Sequence, residues 1–176
     1  MPKRILLALM QSATYRTTNF DLANHYDDDL IDLRKFRNNQ IVNVLYRSPD
    51  GYPYLKRFVP EASDRKISFL EDDGSQLISI SMDFYPRLEV VYSPDSGKKI
   101  ASEIIEVDDF IAVKSHKARG KRVTTFNVDQ FNWLQPLKPD PEPSDDSENS
   151  EYSENTEISE IDDRMGFAEG TQTQLF

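Results

Sequence analysis

The stretch Ile41-Val-Asn-Val-Leu-Tyr-Arg-Ser-Pro-Asp-Gly-Tyr-Pro-Tyr-Leu-Lys-Arg-Phe-Val59 is the key to the architecture. Its apolar residues are patterned with a period of two rather than 3.6, which suits strands and not a helix. The two apolar runs flank Ser48-Pro-Asp-Gly51, where proline presets one φ and glycine tolerates a positive one. The reading is strand, turn, strand.

Three other segments look alike. Ile5-Leu-Leu-Ala-Leu-Met10 leads to Tyr15-Arg-Thr-Thr-Asn-Phe20, Leu77-Ile-Ser-Ile-Ser-Met82 leads through Tyr85-Pro86 to Leu88-Glu-Val-Val-Tyr92, and Phe110-Ile-Ala-Val-Lys114 leads through Lys117-Ala-Arg-Gly120 to Arg122-Val-Thr-Thr-Phe-Asn-Val128. The starts at 5, 41, 77 and 110 are 36, 36 and 33 residues apart. One hairpin cannot bury its apolar face alone, whereas hairpins packed side by side can. The expectation is an all-β fold of propeller-like or pinwheel-like blades made of short antiparallel strands; an ordinary antiparallel sandwich is the other arrangement with this pattern. Helix signals are weak. Asp27-Asp-Asp-Leu-Ile-Asp-Leu-Arg-Lys-Phe36 suits either one or two helical turns or a strand over 30–36, and Val107-Asp-Asp-Phe110 suits a short turn.

Leu134-Gln-Pro-Leu-Lys-Pro-Asp-Pro-Glu-Pro143 closes this body, because alternate prolines remove backbone donors. The expected division is residues 1–137 as the β region and 138–176 as a disordered acidic tail with almost nothing to bury. The formal charge is −10. From Lys138 onward stand 12 acidic and two basic residues, so the whole excess lies in the tail and residues 1–137 balance at zero. A neutral body can still present a basic patch. There is no cysteine, which excludes disulfides and thiolate metal sites. The apolar run at residues 5–10 is too short to span a bilayer, and a cytoplasmic protein is expected.

The most pointed feature is Lys114-Ser-His-Lys-Ala-Arg-Gly-Lys-Arg122, with five cations in nine residues around one glycine. As a loop between strands it would offer Lys114, Lys117, Arg119, Lys121 and Arg122 to phosphate oxygens. The pairs Lys56-Arg57 and Arg65-Lys66 would extend that surface. A solvated turn is the plainer reading of such a run. His116 is expected to stack or hydrogen-bond rather than catalyse. His25-Tyr-Asp-Asp-Asp29 is read as a polar loop and not a metal site, since adjacent strand carboxylates point to opposite faces. No phosphate loop, zinc-protease motif or nucleophile elbow occurs, so no catalytic residue and no cofactor is expected. Tyr15, Tyr46, Tyr54, Phe58, Phe126, Phe131 and Trp133 are read as core rather than as base-stacking platforms. At the C-terminus Gln172-Thr-Gln-Leu-Phe176 could dock in a groove as a linear motif.

Thr17-Thr-Asn-Phe-Asp-Leu-Ala-Asn-His-Tyr26, Tyr54-Leu-Lys-Arg-Phe58, Pro86-Arg-Leu-Glu-Val-Val91 and Phe110-Ile-Ala-Val-Lys-Ser-His-Lys-Ala-Arg-Gly-Lys-Arg-Val-Thr-Thr125 carry a resemblance. With them the body resembles the C-terminal domain of the DNA-cleaving subunit of bacterial DNA topoisomerase IV, of the Bacteroidetes type. The resemblance implies a β-pinwheel related to the C-terminal one of DNA gyrase, whose basic rim holds and bends DNA presented for strand passage. It implies double-stranded DNA as partner, together with the remainder of the DNA-cleaving subunit, and the ATP-hydrolysing subunit of the parent topoisomerase. The chain departs from the family's whole subunit in three ways. It has no Arg-Tyr pair of the DNA-cleaving region (Tyr15-Arg16 and Tyr46-Arg47 run in reverse), it has no glutamine- and arginine-rich gyrase box, and about four units would make only a partial disc. Gln172, Leu175 and Phe176 resemble the peptide that binds bacterial sliding clamps. The expected function is therefore a non-catalytic DNA-binding and DNA-bending module of a type IIA topoisomerase, with a propeller-like protein-interaction module as the other reading.

Overall fold

The computed structural model describes residues 5–70, 72–94 and 99–142. Within the compact unit Met1–Asp140 the chain is nearly all β. Eleven strands are described: β1 (Ile5–Met10), β2 (Thr14–Asn19), β3 (Leu30–Lys35), β4 (Val42–Arg47), β5 (Pro53–Phe58), β6 (Ile67–Ser68), β7 (Gln76–Ser81), β8 (Arg87–Tyr92), β9 (Glu103–Glu106), β10 (Lys121–Arg122) and β11 (Val128–Leu134). One helical turn, α1 (Val107–Phe110), follows β9.

The strands form three antiparallel sheets, ordered β3-β1-β2-β6, β7-β4-β5-β10 and β11-β8-β9. Described from the strand that opens each one, the sheets share a single connectivity. A first strand pairs with the next strand in the chain (β1 with β2, β4 with β5, β8 with β9), and a third returns beside the first (β3, β7, β11). On its way to that third strand, the second unit lends β6 to the first sheet, and the third unit lends β10 to the second sheet. The two loans have matching register. Tyr15 faces Ile67 and Thr14 faces Ser68, while Leu55 faces Lys121 and Tyr54 faces Arg122. Each is continued by one further bond, from Phe69 N–H to Ala13 O at 3.0 Å and from Val123 N–H to Pro53 O at 2.8 Å. The first and second sheets are thus each tied to the following unit by a crossing segment as well as by side-chain packing.

Two cores follow from the period of two. Val42, Val44 and Tyr46 of β4 with Tyr54 and Phe58 of β5 face Leu7, Leu9 and Tyr15 of the first sheet. Leu45 and Leu55 point the other way, toward Leu88, Val90 and Ile105 of the third sheet. The second sheet therefore lies between two apolar layers, and all six residues of β5 are buried. The mean gain from such burial is about 25 cal/mol per Å² of apolar surface, so this doubly covered strand anchors the fold.

The expected hairpins at 5–20 and 41–59 are present. The third and fourth are not, which corrects the reading of four like units. β7 leaves its supposed partner β8 and pairs with β4, and β8 pairs with β9 and β11. Residues 110–120 form no strand; of the fourth segment's early half only Lys114 makes a bridge, parallel to Phe58. The ambiguous segment at 30–36 is the strand β3. The peptide Gln172, Leu175 and Phe176 lies outside the described residues, as does the expected tail from residue 143 onward.

Candidate nucleic-acid interface

The cationic run at residues 114–122 is the crossing segment from the third unit onto the second sheet. Its first anchor is Lys114 N–H, which donates to Arg57 O at 2.9 Å. Its second is Gly120, whose N–H donates to Tyr46 Oη at 3.0 Å. A Cβ at Gly120 would lie 2.6 Å from Leu55 O and 2.9 Å from Tyr46 Oη, so only glycine lets the backbone approach this closely. The last is the β10–β5 pairing.

The five cationic residues of this segment lie at the surface. The Arg119 guanidinium lies over the Tyr54 ring at 5.3 Å and donates to Tyr54 Oη at 3.3 Å. Arg122 lies over Tyr52 at 4.7 Å and also donates to Tyr54 Oη. Lys121 Nζ sits 4.3 Å from the Phe110 centroid and donates to Phe110 O at 3.2 Å. Aromatic faces thus hold three of the cations in place at the surface without neutralising them. Asp50 stands 3.8 Å from Arg119 and 3.7 Å from Arg122, and it is the carboxylate that pairs with this run among the described residues. The Tyr54 hydroxyl and the Tyr52 N–H, with the two guanidinium charges, hold its carboxyl below the usual range. The Tyr54 hydroxyl, with Asp50 beyond it, raises the Arg122 pKa further. One carboxylate against five cations leaves the segment positive.

Arg65 and Lys66 precede β6 on the other crossing segment and are exposed. Lys66 pairs with Asp27, so part of its charge is already answered. The two crossing segments meet at Lys56, whose Nζ donates to both Phe69 O and His116 O at 2.6 Å.

Lys56 and Arg57 are corrected from surface cations to internal ties. They are 4% and 5% exposed. On a strand, neighbours point to opposite faces. Lys56 accordingly enters the layer between the first and second sheets. Arg57 enters the layer between the second and third, donating to Asn43 Oδ1 at 2.8 Å, Phe84 O at 2.8 Å and Ile111 O at 3.3 Å. Burial lowers the Arg57 pKa, opposed by the charge of Asp108. Neither can reach a phosphate from there.

His116 packs edge-on against Tyr15 and Phe58 at 6.3 and 6.4 Å. Tyr15, Tyr46, Tyr54 and Phe58 are core, and Phe131 and Trp133 pack against the second core. Phe126 departs from that reading at 56% exposed, set edge-on to Tyr92. Sequence reasoning missed Asp50 and the hydroxyls of Tyr46 and Tyr54 as supports of the cationic segment. The signal was the cross-strand pair Tyr46–Tyr54 closing the turn that carries Asp50. Among the described residues no three His, Asp or Glu side chains gather as a metal site, and no helix is long and apolar enough to cross a membrane.

Residues 4–135 match the family described as topoisomerase C-terminal domain of Bacteroidota. The chain belongs to that family. The likeness thus spans all three sheets and both crossing segments. No curated protein and no solved structure matches the chain. Membership in the topoisomerase C-terminal domain family gives the chain a topoisomerase-associated role, as a non-catalytic domain of such an enzyme.

Proposed function

We propose that the chain binds and bends double-stranded DNA for a type IIA topoisomerase, as the pinwheel-like C-terminal region of the DNA-cleaving subunit of topoisomerase IV. In that setting it would present a DNA segment for strand passage by the remainder of that subunit, working with the ATP-hydrolysing one. The observation that carries this is the exposed crossing segment 114–122, with five cations, aromatic supports and one flanking carboxylate. Lys114, Lys117, Arg119, Lys121 and Arg122 contact backbone phosphates, and Arg65 with Lys66 extends the track. Contacts of this kind position a duplex without reading its sequence, so binding is weakly sequence-selective. Bending costs on the order of 1–6 kcal/mol and favours deformable steps. The excess negative charge beyond Lys138 would compete for the same cations, so removing residues 138–176 would tighten binding.

A gel-shift titration of a mixed-sequence duplex tests this. Changing Lys117, Arg119, Lys121 and Arg122 together to alanine should weaken binding by about tenfold or more at low salt. Unchanged affinity in a folded variant would reject the reading and favour a protein-interaction module.

A further inference from the structure

In the first and second sheets, the second strand of the unit is covered along its outer edge by a crossing segment. β2 carries β6, and β5 carries β10. In the third sheet the equivalent strand, β9, carries none among the described residues, and the sheet ends there. The side chains agree. β5 is buried throughout, whereas Glu103 and Ile104 of β9 are exposed, Ile104 at 49%. A strand edge with unpaired N–H and C=O groups and an uncovered apolar side chain is a template for one more strand.

The two crossing segments within the chain show what such an edge accepts. Each presents two adjacent cations and then enters the core with an apolar residue: Arg65-Lys66 leads through Ile67 to Phe69, and Lys121-Arg122 leads to Val123. The β9 edge has the complementary sign. Glu103 and Glu106 lie on it, and Asp108 and Asp109 follow directly. Glu106 is paired with Arg87 and Asp108 with Lys138. The sign is therefore carried by Glu103, whose carboxylate accepts only from the Tyr92 hydroxyl among the bonds of the described residues, and by Asp109. The first unit's own connection between β2 and β3, residues 20–29, occupies the equivalent place in the chain but pairs with no sheet as a strand. It is an unsuitable occupant for a second copy's β9, since Asp21, Asp27, Asp28 and Asp29 would meet the glutamates.

We infer that the β9 edge is a strand-acceptor site for a short basic–apolar segment of a partner, added antiparallel as β6 and β10 are. The partner's segment is extended, with Lys or Arg followed by a β-branched or aromatic residue. Backbone hydrogen bonds supply the binding, and Glu103 with Asp109 selects the charge.

The experiment uses the full chain and a synthetic nine-residue peptide with the sequence of residues 117–125, followed by calorimetry and by amide exchange at residues 103–106. Three further peptides are the controls: a scrambled one of equal charge, one N-methylated at the two positions equivalent to β10, and one with both cations at those positions changed to glutamate. The expected result is saturable one-to-one binding with slowed exchange at 103–106. N-methylation and charge reversal should each weaken it by about tenfold or more. Equal binding of the scrambled peptide would show capture by diffuse negative charge and overturn the proposal. So would binding without protection at 103–106, or no binding at all. Because DNA is absent, failure here leaves the DNA reading to its own test.

Discussion

Two groups of cations, Lys56-Arg57 and residues 114–122, use the same side chains for opposite ends. The first lies on β5, a strand with a sheet on either side, and its charges end on carbonyl oxygens inside the fold. The second lies on a segment that crosses over β5 from outside, and three of its charges rest on aromatic faces at the surface. A cation's role here is set by whether chain passes over it. A buried cation is tolerated when its donors find acceptors, and it then ties layers together. An exposed one on a rigid backbone keeps its charge for an external anion.

The contrast is most exposed to test at Arg57. Arg57→Ala leaves Asn43 Oδ1 and two carbonyls without their donor and opens a cavity, and stability to urea should fall by about 3–5 kcal/mol. If unfolding is unchanged, the internal-tie account of Arg57 is wrong. Lys56→Met keeps the buried stem but loses both Nζ bonds, and should lower stability by about 1–3 kcal/mol. It should also loosen the crossing segment near His116, read as faster amide exchange there. Gly120→Ala forces a Cβ against Leu55 O and should cost about 1–3 kcal/mol while weakening DNA binding. A neutral outcome would mean the backbone can retreat without disturbing the cations.

A milder change probes the surface group. Asp50→Asn removes the carboxylate facing Arg119 and Arg122, so DNA affinity should rise by about twofold. The Asp50 carboxyl is held below its usual range in the folded chain. Its contribution is present above the unfolded value of about 4 and is lost as pH falls through the lower folded value. Asp50→Asn should therefore flatten the acid limb of the stability profile.

These residues also show how far the sequence could be read. The all-β class was legible because Val42, Val44 and Tyr46 alternate with residues of the opposite face, and the second hairpin because Ser48-Pro-Asp-Gly51 admits few other turns. Strand partners were not legible. Periodicity identifies β7 and β8 as strands, yet nothing in Tyr85-Pro86 says that they enter different sheets. The crossing of 114–122 onto β5 is a long-range event, and with it went the burial of Lys56 and Arg57. One warning was available: two adjacent residues inside the strand Tyr54-Leu-Lys-Arg-Phe58 cannot both face solvent on one side. The exposed cations were legible, because so dense a run cannot be buried without partners. Their supports on Tyr52, Tyr54 and Phe110 were not, since nothing in the local pattern pairs those rings with the cations.

The functional reading requires that the surface run, and not the internal pair, meet phosphate. The salt dependence of duplex affinity decides it, for the wild type beside the variant with Lys117, Arg119, Lys121 and Arg122 changed to alanine. Removing four phosphate contacts should make the slope of log affinity against log salt shallower by about 3.6 in the variant, with urea stability little changed. Equal slopes in the two folded proteins would contradict the account.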